Sequence, residues 1–176
     1  MRPDLRLDNA PPNPRMQPTD RRGAESGSGG ALPAQVVRRS PSMSQVQTAF
    51  GVLVLVQAAH STEEYLGRLW ESFPPARLVS GLLSDNLERG FVAANVILVA
   101  FALWSWMVPV RRDWPSAAPL AWTWVVLEVV NGTGHMLWAI RQGGYAPGVA
   151  TAPLLIGVAI YLGRHLSQVR DAAGAA

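Results

Sequence analysis

The chain has 176 residues, 49% of them apolar and 15% charged, and it contains no cysteine. All 15 basic residues are arginines, and seven of them precede Met43 together with four acids. From Met43 onward the chain carries eight arginines and eight acids, so this part has no net charge. These totals exclude disulfide frameworks, zinc–thiolate sites and thiol nucleophiles, and they leave no basic face for nucleic acid, so we expect no nucleic-acid partner.

The N-terminal stretch, residues 1–42, holds seven of the 14 prolines and the run GAESGSGGA. It has few aromatic or β-branched residues, so it cannot bury enough apolar surface to offset the entropy of ordering. We therefore predict that residues 1–43 are disordered. Because Met43 opens the stretch MSQVQTAF, we also expect it to be the native start and the residues before it to be a non-native extension.

Long uncharged runs dominate the rest of the chain. There are 21 uncharged residues between Arg89 and Arg111 and 22 between Arg141 and Arg164, and Glu128 is the single charge among the 27 residues between Asp113 and Arg141. A helix of about 20 apolar residues crosses a bilayer core. The prediction is all-α: a four-helix transmembrane bundle over residues 44–170, preceded by the disordered segment, with spans at about 46–66, 90–109, 117–140 and 149–166.

Two alternatives to this topology remain open. A soluble helical protein could bury such runs in its core, although three runs of spanning length disfavour it. The first helix, with Arg38 and Arg39 before it and Ala58 and Ala59 at its end, also has features of a cleaved signal peptide. Cleavage there would remove the helix that precedes the polar motif at residues 60–64.

Arginine placement predicts the orientation in the membrane. Arg111 and Arg112 lie in the second predicted loop, and Arg164 and Arg170 follow the fourth helix. Since cytoplasmic loops are enriched in arginine and lysine, we expect both termini and the second loop in the cytoplasm, in a multi-pass protein of the cytoplasmic membrane.

Two polar clusters are expected to meet in one layer. The first and third helices of an up-down bundle run parallel, so their C-terminal ends reach the same membrane face. His60 lies eight residues before Arg68, and His135 lies six residues before Arg141. At a rise of about 1.5 Å per residue, the two imidazoles should differ in depth by about 3 Å.

Each of these helices also carries carboxylates on the face of its histidine. His60, Glu63 and Glu64 are spaced i, i+3 and i+4. Glu128, Asn131 and His135 are spaced i, i+3 and i+7 and fall within a stripe about 60° wide. An intramembrane glutamate costs about 2.5 to 3.5 kcal/mol by insertion scales, so it usually has a partner in the bundle interior.

That partner is an ion-paired imidazole, a shared proton or a bound metal ion. Imidazole and carboxylate ligands suit zinc, iron or manganese. With a divalent transition metal present, the predicted ligands are His60, Glu64 and His135, and no organic cofactor is expected. Glu63 or Glu128 is then the predicted general base, and Asn131 the orienting donor.

Several of these residues also have structural interpretations. Ser61 to Glu64 fits a capping box at the start of a new helix, and His135 can be a hydrogen-bonded core histidine. Gly132 and Gly134 are typical of close helix contacts in membranes. The stretch GGYAPG, residues 143–148, predicts a turn that places Tyr145 and Thr151 on the membrane face of the histidines, where either can reach the site.

Three motifs carry a family resemblance. His60-Ser-Thr-Glu63-Glu64 matches an HXXEE motif, Asn131-Gly-Thr-Gly-His135 resembles an NxxxH motif, and the stretch YAPG at 145–148 resembles a third signature. Over roughly residues 45–165, the chain resembles the HXXEE-motif family of small bacterial integral membrane proteins of unknown function. The resemblance implies a helical protein of the bacterial cytoplasmic (inner) membrane and a candidate enzyme without a known substrate.

A weaker similarity links Glu63-Glu64-Tyr-Leu-Gly-Arg68 to the EExxxR pattern of CAAX-protease-like intramembrane metalloproteases. The chain departs from that family because it has four predicted helices rather than about eight, so the similarity serves only as a chemical analogy. It also reads NxxxH where those proteins read HxxxN.

Three functions are consistent with these patterns. The first is a metal-dependent, hydrolase-like enzyme in the lipid bilayer that acts on a lipid-like or membrane-held substrate. The second is a proton or ion relay in a small transporter, and the third is a non-catalytic membrane scaffold whose polar layer specifies helix packing. Whether the chain is an enzyme, and whether it forms an oligomer, stays open at this point.

Overall fold

A computed structural model describes residues 43–175, and these residues form helices joined by short turns. The helices are α1 Met43–Leu66, α2 Leu69–Ser72, α3 Pro74–Leu83, α4 Leu87–Ser105, α5 Ala117–Gln142 and α6 Ala152–Gly174. There is no strand between residues 43 and 175, which confirms the all-α class. The predicted disordered segment, apart from Met43, lies outside the described residues.

Each of the four predicted spans overlaps one of the long helices, α1, α4, α5 and α6. The largest difference is at the fourth, which begins at Ala152 rather than at residue 149 and ends at Gly174 rather than at residue 166. The backbone N–H groups of Ala150 and Thr151 donate to the Glu63 carboxylate, and this contact holds the chain in a turn before α6. The predicted first loop contains two further helices, α2 and α3.

Local sequence explains how α1 gives way to these short helices. Arg68 adopts a left-handed conformation with φ of 54°, which ends the α-helical path after Leu66. Pro74 and Pro75 occupy the first two positions of α3, where proline is favoured because the first N–H groups of a helix have no intrahelical partner.

The apolar core lies between α1, α5 and α6. Helix α6 packs against both α1 and α5, and the core includes the buried side chains of Phe50, Leu53, Trp124 and Leu155. A Cβ atom on Gly132 would lie 2.7 Å from Cγ1 of Ile156, so a glycine is needed for α5 and α6 to approach this closely. This contact confirms the close-packing interpretation of Gly132.

The end of α4 is distorted and tied to its neighbours. The helix continues as a π-helical turn over Trp106–Val110, where the Arg111 N–H donates to the Trp106 carbonyl at 3.0 Å. Pro109 has no N–H to donate within this turn, and the irregular turn accommodates it. The Trp106 indole donates to the Gln47 carbonyl at 2.8 Å, which joins this end of α4 to α1.

Besides the apolar core, the fold exposes many large apolar side chains and buries several ionisable ones, which is unusual for a soluble protein. Large apolar side chains face outward, among them Leu55 at 71% exposure, Leu66 at 75% and Ile140 at 74%. The buried polar side chains include Gln57, His60, Glu64, Glu128 and His135. Within residues 43–175, one helical stretch, Leu87–Val110, is both long and apolar enough to cross a membrane. A membrane location is therefore weakly supported, and the four-span topology stays a prediction.

Candidate metal centre

Three buried side chains converge near the C-terminal end of α1. His60 and Glu64 lie one turn apart on α1, and His135 reaches them from α5. The Glu64 Oε1 atom is 2.8 Å from Nε2 of His135 and 3.4 Å from Nε2 of His60. The two imidazole rings meet edge to face with centroids 4.7 Å apart. The structure thus brings together the three residues that the sequence predicts as metal ligands, with their ligand atoms within 4.8 Å of one another.

The hydrogen-bond partner of His135 determines its tautomer. Its Nδ1 atom lies 2.8 Å from the carbonyl oxygen of Pro147. A carbonyl oxygen can only accept, so Nδ1 carries the hydrogen and donates it. In a neutral imidazole the other nitrogen, Nε2, then has a free lone pair, and this lone pair is directed toward Glu64.

His60 is oriented in the same way through a side-chain hydroxyl. Its Nδ1 atom is 2.6 Å from Oγ1 of Thr151, and the same hydroxyl donates to Oε2 of Glu63 at 2.6 Å. Because a hydroxyl has one hydrogen, already donated to the carboxylate, Thr151 must accept from the His60 Nδ1–H. The neutral form of His60 therefore also has its lone pair on Nε2.

With both imidazoles neutral, the centre holds three acceptors facing one another. Neither Nε2 atom, of His60 or of His135, has a well-aligned hydrogen bond among the described residues. Two imidazole lone pairs and a carboxylate oxygen repel unless a cation lies between them, and that cation is either a metal ion or a proton. Two histidines, one glutamate and an open fourth position are a ligand set of catalytic zinc sites, so the donors fit a divalent metal.

Glu63, although adjacent to Glu64, has a different environment. Its Oε1 atom accepts hydrogen bonds from the Tyr145 hydroxyl at 2.8 Å, the Gly148 N–H at 3.1 Å and the Ala150 N–H at 3.0 Å. Its Oε2 atom accepts from the N–H and the hydroxyl of Thr151 at 2.9 and 2.6 Å. Five donors occupy a carboxylate that has about four lone-pair sites. Glu63 thus anchors the turn that connects α5 and α6.

The turn 145–151, which we call the YAPG turn, braces both histidines. Pro147 and Thr151 accept the two Nδ1–H groups. Gly148 has φ of +90°, and a Cβ atom there would lie 2.5 Å from Nδ1 of His135. Only glycine satisfies both the backbone conformation and this close approach. The sequence predicts the turn and its position near the histidines, from which Thr151 can reach the site, but it does not predict the contact of Pro147 with His135.

Tyr145, at the start of this turn, donates its hydroxyl hydrogen to Glu63. Partial burial, together with the Glu63 carboxylate that accepts its hydrogen bond, raises the pKa of the Tyr145 hydroxyl above its usual value of 10.0. The phenol therefore stays protonated as the donor in this contact.

Glu128 and Asn131 lie beside the three ligands without joining them. Glu128 is fully buried on α5, and the Asn131 amide lies within hydrogen-bonding reach of its carboxylate. The Gln57 amide lies between Glu128 and Ser61, and one orientation of it satisfies both. In that orientation its nitrogen donates to the two Glu128 oxygens at 2.8 and 3.2 Å, and its oxygen accepts from Ser61 Oγ at 3.2 Å. Gln57 was not predicted as a site residue, but its position three residues before His60 on an apolar helix is a signal that could have identified it.

The capping-box interpretation of Ser61 to Glu64 is wrong. Helix α1 is continuous from Met43 to Leu66, so no helix begins at Ser61. Both Ser61 and Glu64 are buried and directed at side chains of the site rather than at free backbone N–H groups.

A large apolar cavity adjoins the centre. Its volume is about 930 Å³, and Glu64, Asn131 and His135 lie on its wall together with apolar residues of α3, α4 and α5. The Phe73 ring lies against His135 with centroids 5.6 Å apart and forms part of the boundary. Two of the three candidate ligands, Glu64 and His135, thus face a space that can hold an organic ligand.

Comparison with known proteins gives one family match. Residues 51–162 match the family described as "Protein of unknown function with HXXEE motif". The matched region is more than half of the chain and contains every residue of the centre from His60 to Thr151. No curated protein and no solved structure matches the chain.

Proposed function

The chain belongs to the HXXEE family of proteins of unknown function, and we propose that it is an integral membrane enzyme that binds a divalent transition metal through His60, Glu64 and His135 and hydrolyses a membrane-held substrate. The observation that carries this proposal is the convergence of three acceptor atoms whose orientation is held by hydrogen bonds to both Nδ1 atoms. A site built for protons alone does not need both imidazoles held in the same tautomer.

The donor set suggests the class of metal. Neutral imidazole and carboxylate suit zinc, iron and manganese, and all three protein ligands are buried. Such an ion, when bound, acts as a Lewis acid on a carbonyl or phosphoryl oxygen. The contacts of Pro147 and Thr151 with the ring Nδ1–H groups correspond to the outer-shell hydrogen bonds that orient histidine ligands in metalloenzymes.

The remaining polar residues have separate proposed roles. Glu128 is the proposed proton acceptor, because its partners are side-chain amides and it is not saturated by backbone donors as Glu63 is. Asn131 lines the cavity beside it and is the proposed donor to the substrate. Glu63 holds the YAPG turn and acts on the centre through Thr151, which makes it a positioning residue.

The distribution of side chains supports a membrane location with four spans, α1, α4, α5 and α6. Apolar side chains facing outward and ionisable ones facing inward are the pattern expected of a helical bundle in lipid. We place both termini and the α4–α5 turn in the cytoplasm and the YAPG turn on the opposite side. The metal centre then lies toward the non-cytoplasmic face.

Topology can be tested with single cysteines, since the native chain has none. In intact bacterial cells, a membrane-impermeant thiol reagent should label Gly144→Cys, beside the YAPG turn. It should label Asp113→Cys, in the α4–α5 turn, only after the membrane is permeabilised. Labelling of both positions from the same side would contradict the proposed spans.

Metal analysis tests the centre itself. The full chain, purified in detergent and incubated with Zn²⁺, Fe²⁺ or Mn²⁺, should retain about one ion per chain after desalting, as a three-ligand site would. His60→Ala and His135→Ala should each lose it. His165→Ala is the matched control, because His165 is partly exposed on α6, where its ring lies against Tyr161 rather than at the centre. Metal-free wild-type protein, or equal metal content in all four proteins, would reject the proposal.

A proton or ion relay is the second candidate, and one observation favours it. Glu64 and Glu128 are both buried, and Ser61 and Gln57 form a hydrogen-bonded chain that extends from Glu128. A relay predicts pH-dependent flux in proteoliposomes that Glu128→Gln abolishes and that needs no bound metal. A scaffold predicts that both Glu128→Gln and His135→Ala lower thermal stability in detergent and change neither metal content nor flux.

A further inference from the structure

The cavity beside the metal centre is a long cleft along one face of α5. Its α5 wall consists of Pro119, Trp122, Thr123, Val126, Leu127, Val130, Asn131 and His135. These positions follow a helical repeat of three and four residues, so they form one stripe. The 16 residue-to-residue steps from Pro119 to His135 correspond to a length of about 24 Å at the rise of an α-helix. The cleft therefore extends over most of a bilayer core, which is about 30 Å thick.

The polarity of the cleft changes along its length. Gln57, Glu64, Asn131 and His135 are grouped at the end near the metal centre. Farther along, the donors of Thr123 and Asn95 are occupied by carbonyl oxygens of their own helices, at 3.0 and 3.1 Å. The cleft thus has a polar end and a long wall that offers few free hydrogen-bonding groups.

The polar groups indicate an uncharged head group. Glu64 is the only acid in the lining, and no arginine is present there to pair with a phosphate or a carboxylate. Ser80, which is fully buried on α3 and also lines the cleft, has a hydroxyl without a hydrogen-bond partner among the described residues. An ester or hydroxyl oxygen of an uncharged group can accept from the Ser80 hydroxyl, and a carbonyl oxygen of that kind is one that the proposed metal ion would polarise.

The cleft is open at its side. Val126 is 58% exposed and Val130 66% exposed, although both line the cavity. Apolar side chains that are exposed in this way would contact acyl chains in a bilayer. A hydrocarbon chain can therefore enter laterally, between α4 and α5, without passing through water.

We propose that this cleft binds one long hydrocarbon chain of an uncharged, single-chain amphiphile, whose polar head lies at the Glu64, Asn131 and His135 end. The proposal rests on the proposed function in that it names the class of substrate for the same centre. The extended shape of the cleft, about 24 Å along α5, and its polar groups at one end only select a long hydrocarbon chain with a polar head over a compact polar molecule.

Photolabelling of the full chain in nanodiscs tests the proposal. The probe is a long-chain monoacylglycerol with a diazirine near the end of its acyl chain. We expect it to label peptides of α4 and α5 that line the cleft. Val126→Trp, which fills the cleft, should lower labelling about tenfold, equivalent to about 1.4 kcal/mol of binding free energy. Val96→Trp is the matched control, because Val96 is 61% exposed on α4 and lies outside the cleft.

Competition tests the head group. Unlabelled monoacylglycerol should displace the probe, and the corresponding fatty acid at alkaline pH, which carries a carboxylate, should not. Equal competition by both would overturn the uncharged head group. Equal labelling of the two tryptophan variants would overturn the cleft as the binding site. A change of oligomeric state in Val126→Trp without a change in labelling would also overturn it, since the cleft would then be an interface between copies.

The metal-free variants separate this inference from the proposed function. His60→Ala should lose the metal and retain labelling of the cleft, because His60 does not line it. If wild-type protein binds no metal but the cleft is labelled as expected, the enzyme proposal fails and the lipid site stands. If metal binding is normal and Val126→Trp has no effect, the lipid site fails and the metal centre stands.

Discussion

His60 Nδ1 lies 2.6 Å from Oγ1 of Thr151, although the two residues are 91 positions apart. The contact joins α1 to the residue that immediately precedes α6, and the same hydroxyl donates to Glu63. One side chain thus connects a carboxylate, an imidazole and a helix start. The centre depends on this connection because it determines which nitrogen of His60 carries the hydrogen.

Thr151→Val should weaken metal binding with little change in the fold. Valine has nearly the same shape but lacks the hydroxyl, so His60 loses the acceptor of its Nδ1–H while the backbone contact of residue 151 with Glu63 is kept. Loss of an outer-shell partner typically costs about 10- to 100-fold in metal affinity. Competition with a chromogenic chelator measures the metal affinity of each protein. Thr62→Val, on the exposed side of α1, is the control, and equal affinities of the two variants would contradict the role of Thr151.

Gly148→Ala should destabilise the protein and disturb His135. A left-handed conformation costs a residue other than glycine about 1 to 3 kcal/mol, and the added Cβ would also lie 2.5 Å from the imidazole. Thermal unfolding in detergent measures the change in stability. Gly157→Ala, in α6 with no heavy atom within 4 Å of the added Cβ, should be neutral or stabilise by about 0.5 to 1 kcal/mol, as is usual for glycine to alanine in a helix. A fully stable Gly148→Ala protein would show that the turn is not constrained by the ring.

Tyr145→Phe should lower stability modestly and in a pH-dependent way. Net hydrogen bonds contribute about 0.5 to 1.5 kcal/mol, and the lower part of this range applies because the ring is largely exposed. The pKa of the Tyr145 hydroxyl is raised, so the contribution is complete below the ordinary pKa of 10.0 and is lost as the pH rises through the higher folded-state value. Unfolding of wild type and variant should therefore differ at neutral pH and converge in strong alkali. A difference that grows with rising pH would have the wrong sign.

Glu63→Gln and Glu64→Gln should have different effects although the residues are adjacent. Glu64→Gln removes the anionic ligand and should abolish stoichiometric metal binding. Glu63→Gln keeps all three ligands but weakens the anchor of the YAPG turn, so the amides of Gly148, Ala150 and Thr151 should exchange faster with solvent hydrogen. Metal analysis and hydrogen exchange on the same samples measure both effects. Equal loss of metal in the two variants would mean that the glutamates do not have separate roles.

Much of the centre was predictable because helices impose a regular spacing. Once residues 43–66 and 117–142 are helical, His60 and Glu64 share a face, as do Glu128 and His135. The parallel direction of the first and third long helices then predicts that the two histidines lie at one level. Their ring centroids, 4.7 Å apart, agree with that prediction.

The division of labour between the two glutamates was not predictable. Glu63 and Glu64 are about 100° apart around α1, and both positions are compatible with a ligand or a base. The sequence places the YAPG turn on the membrane face of the histidines, but the turn lies more than 80 residues away, and nothing in its sequence predicts that its donors reach Glu63 rather than Glu64.

By itself the sequence determined the four long helical segments, the family motifs and the histidines and carboxylates that share a helix face, because these depend on local spacing and on composition. Tertiary structure alone decided that Glu64 faces both imidazoles, that Glu63 is saturated by the turn before α6, and that a long apolar cleft opens beside the centre. The physical reason is that these contacts join segments that are distant in the chain. The donors to Glu63, the oxygens that accept from the histidine Nδ1–H groups and the walls of the cleft all come from such segments, and only helix packing sets their distances.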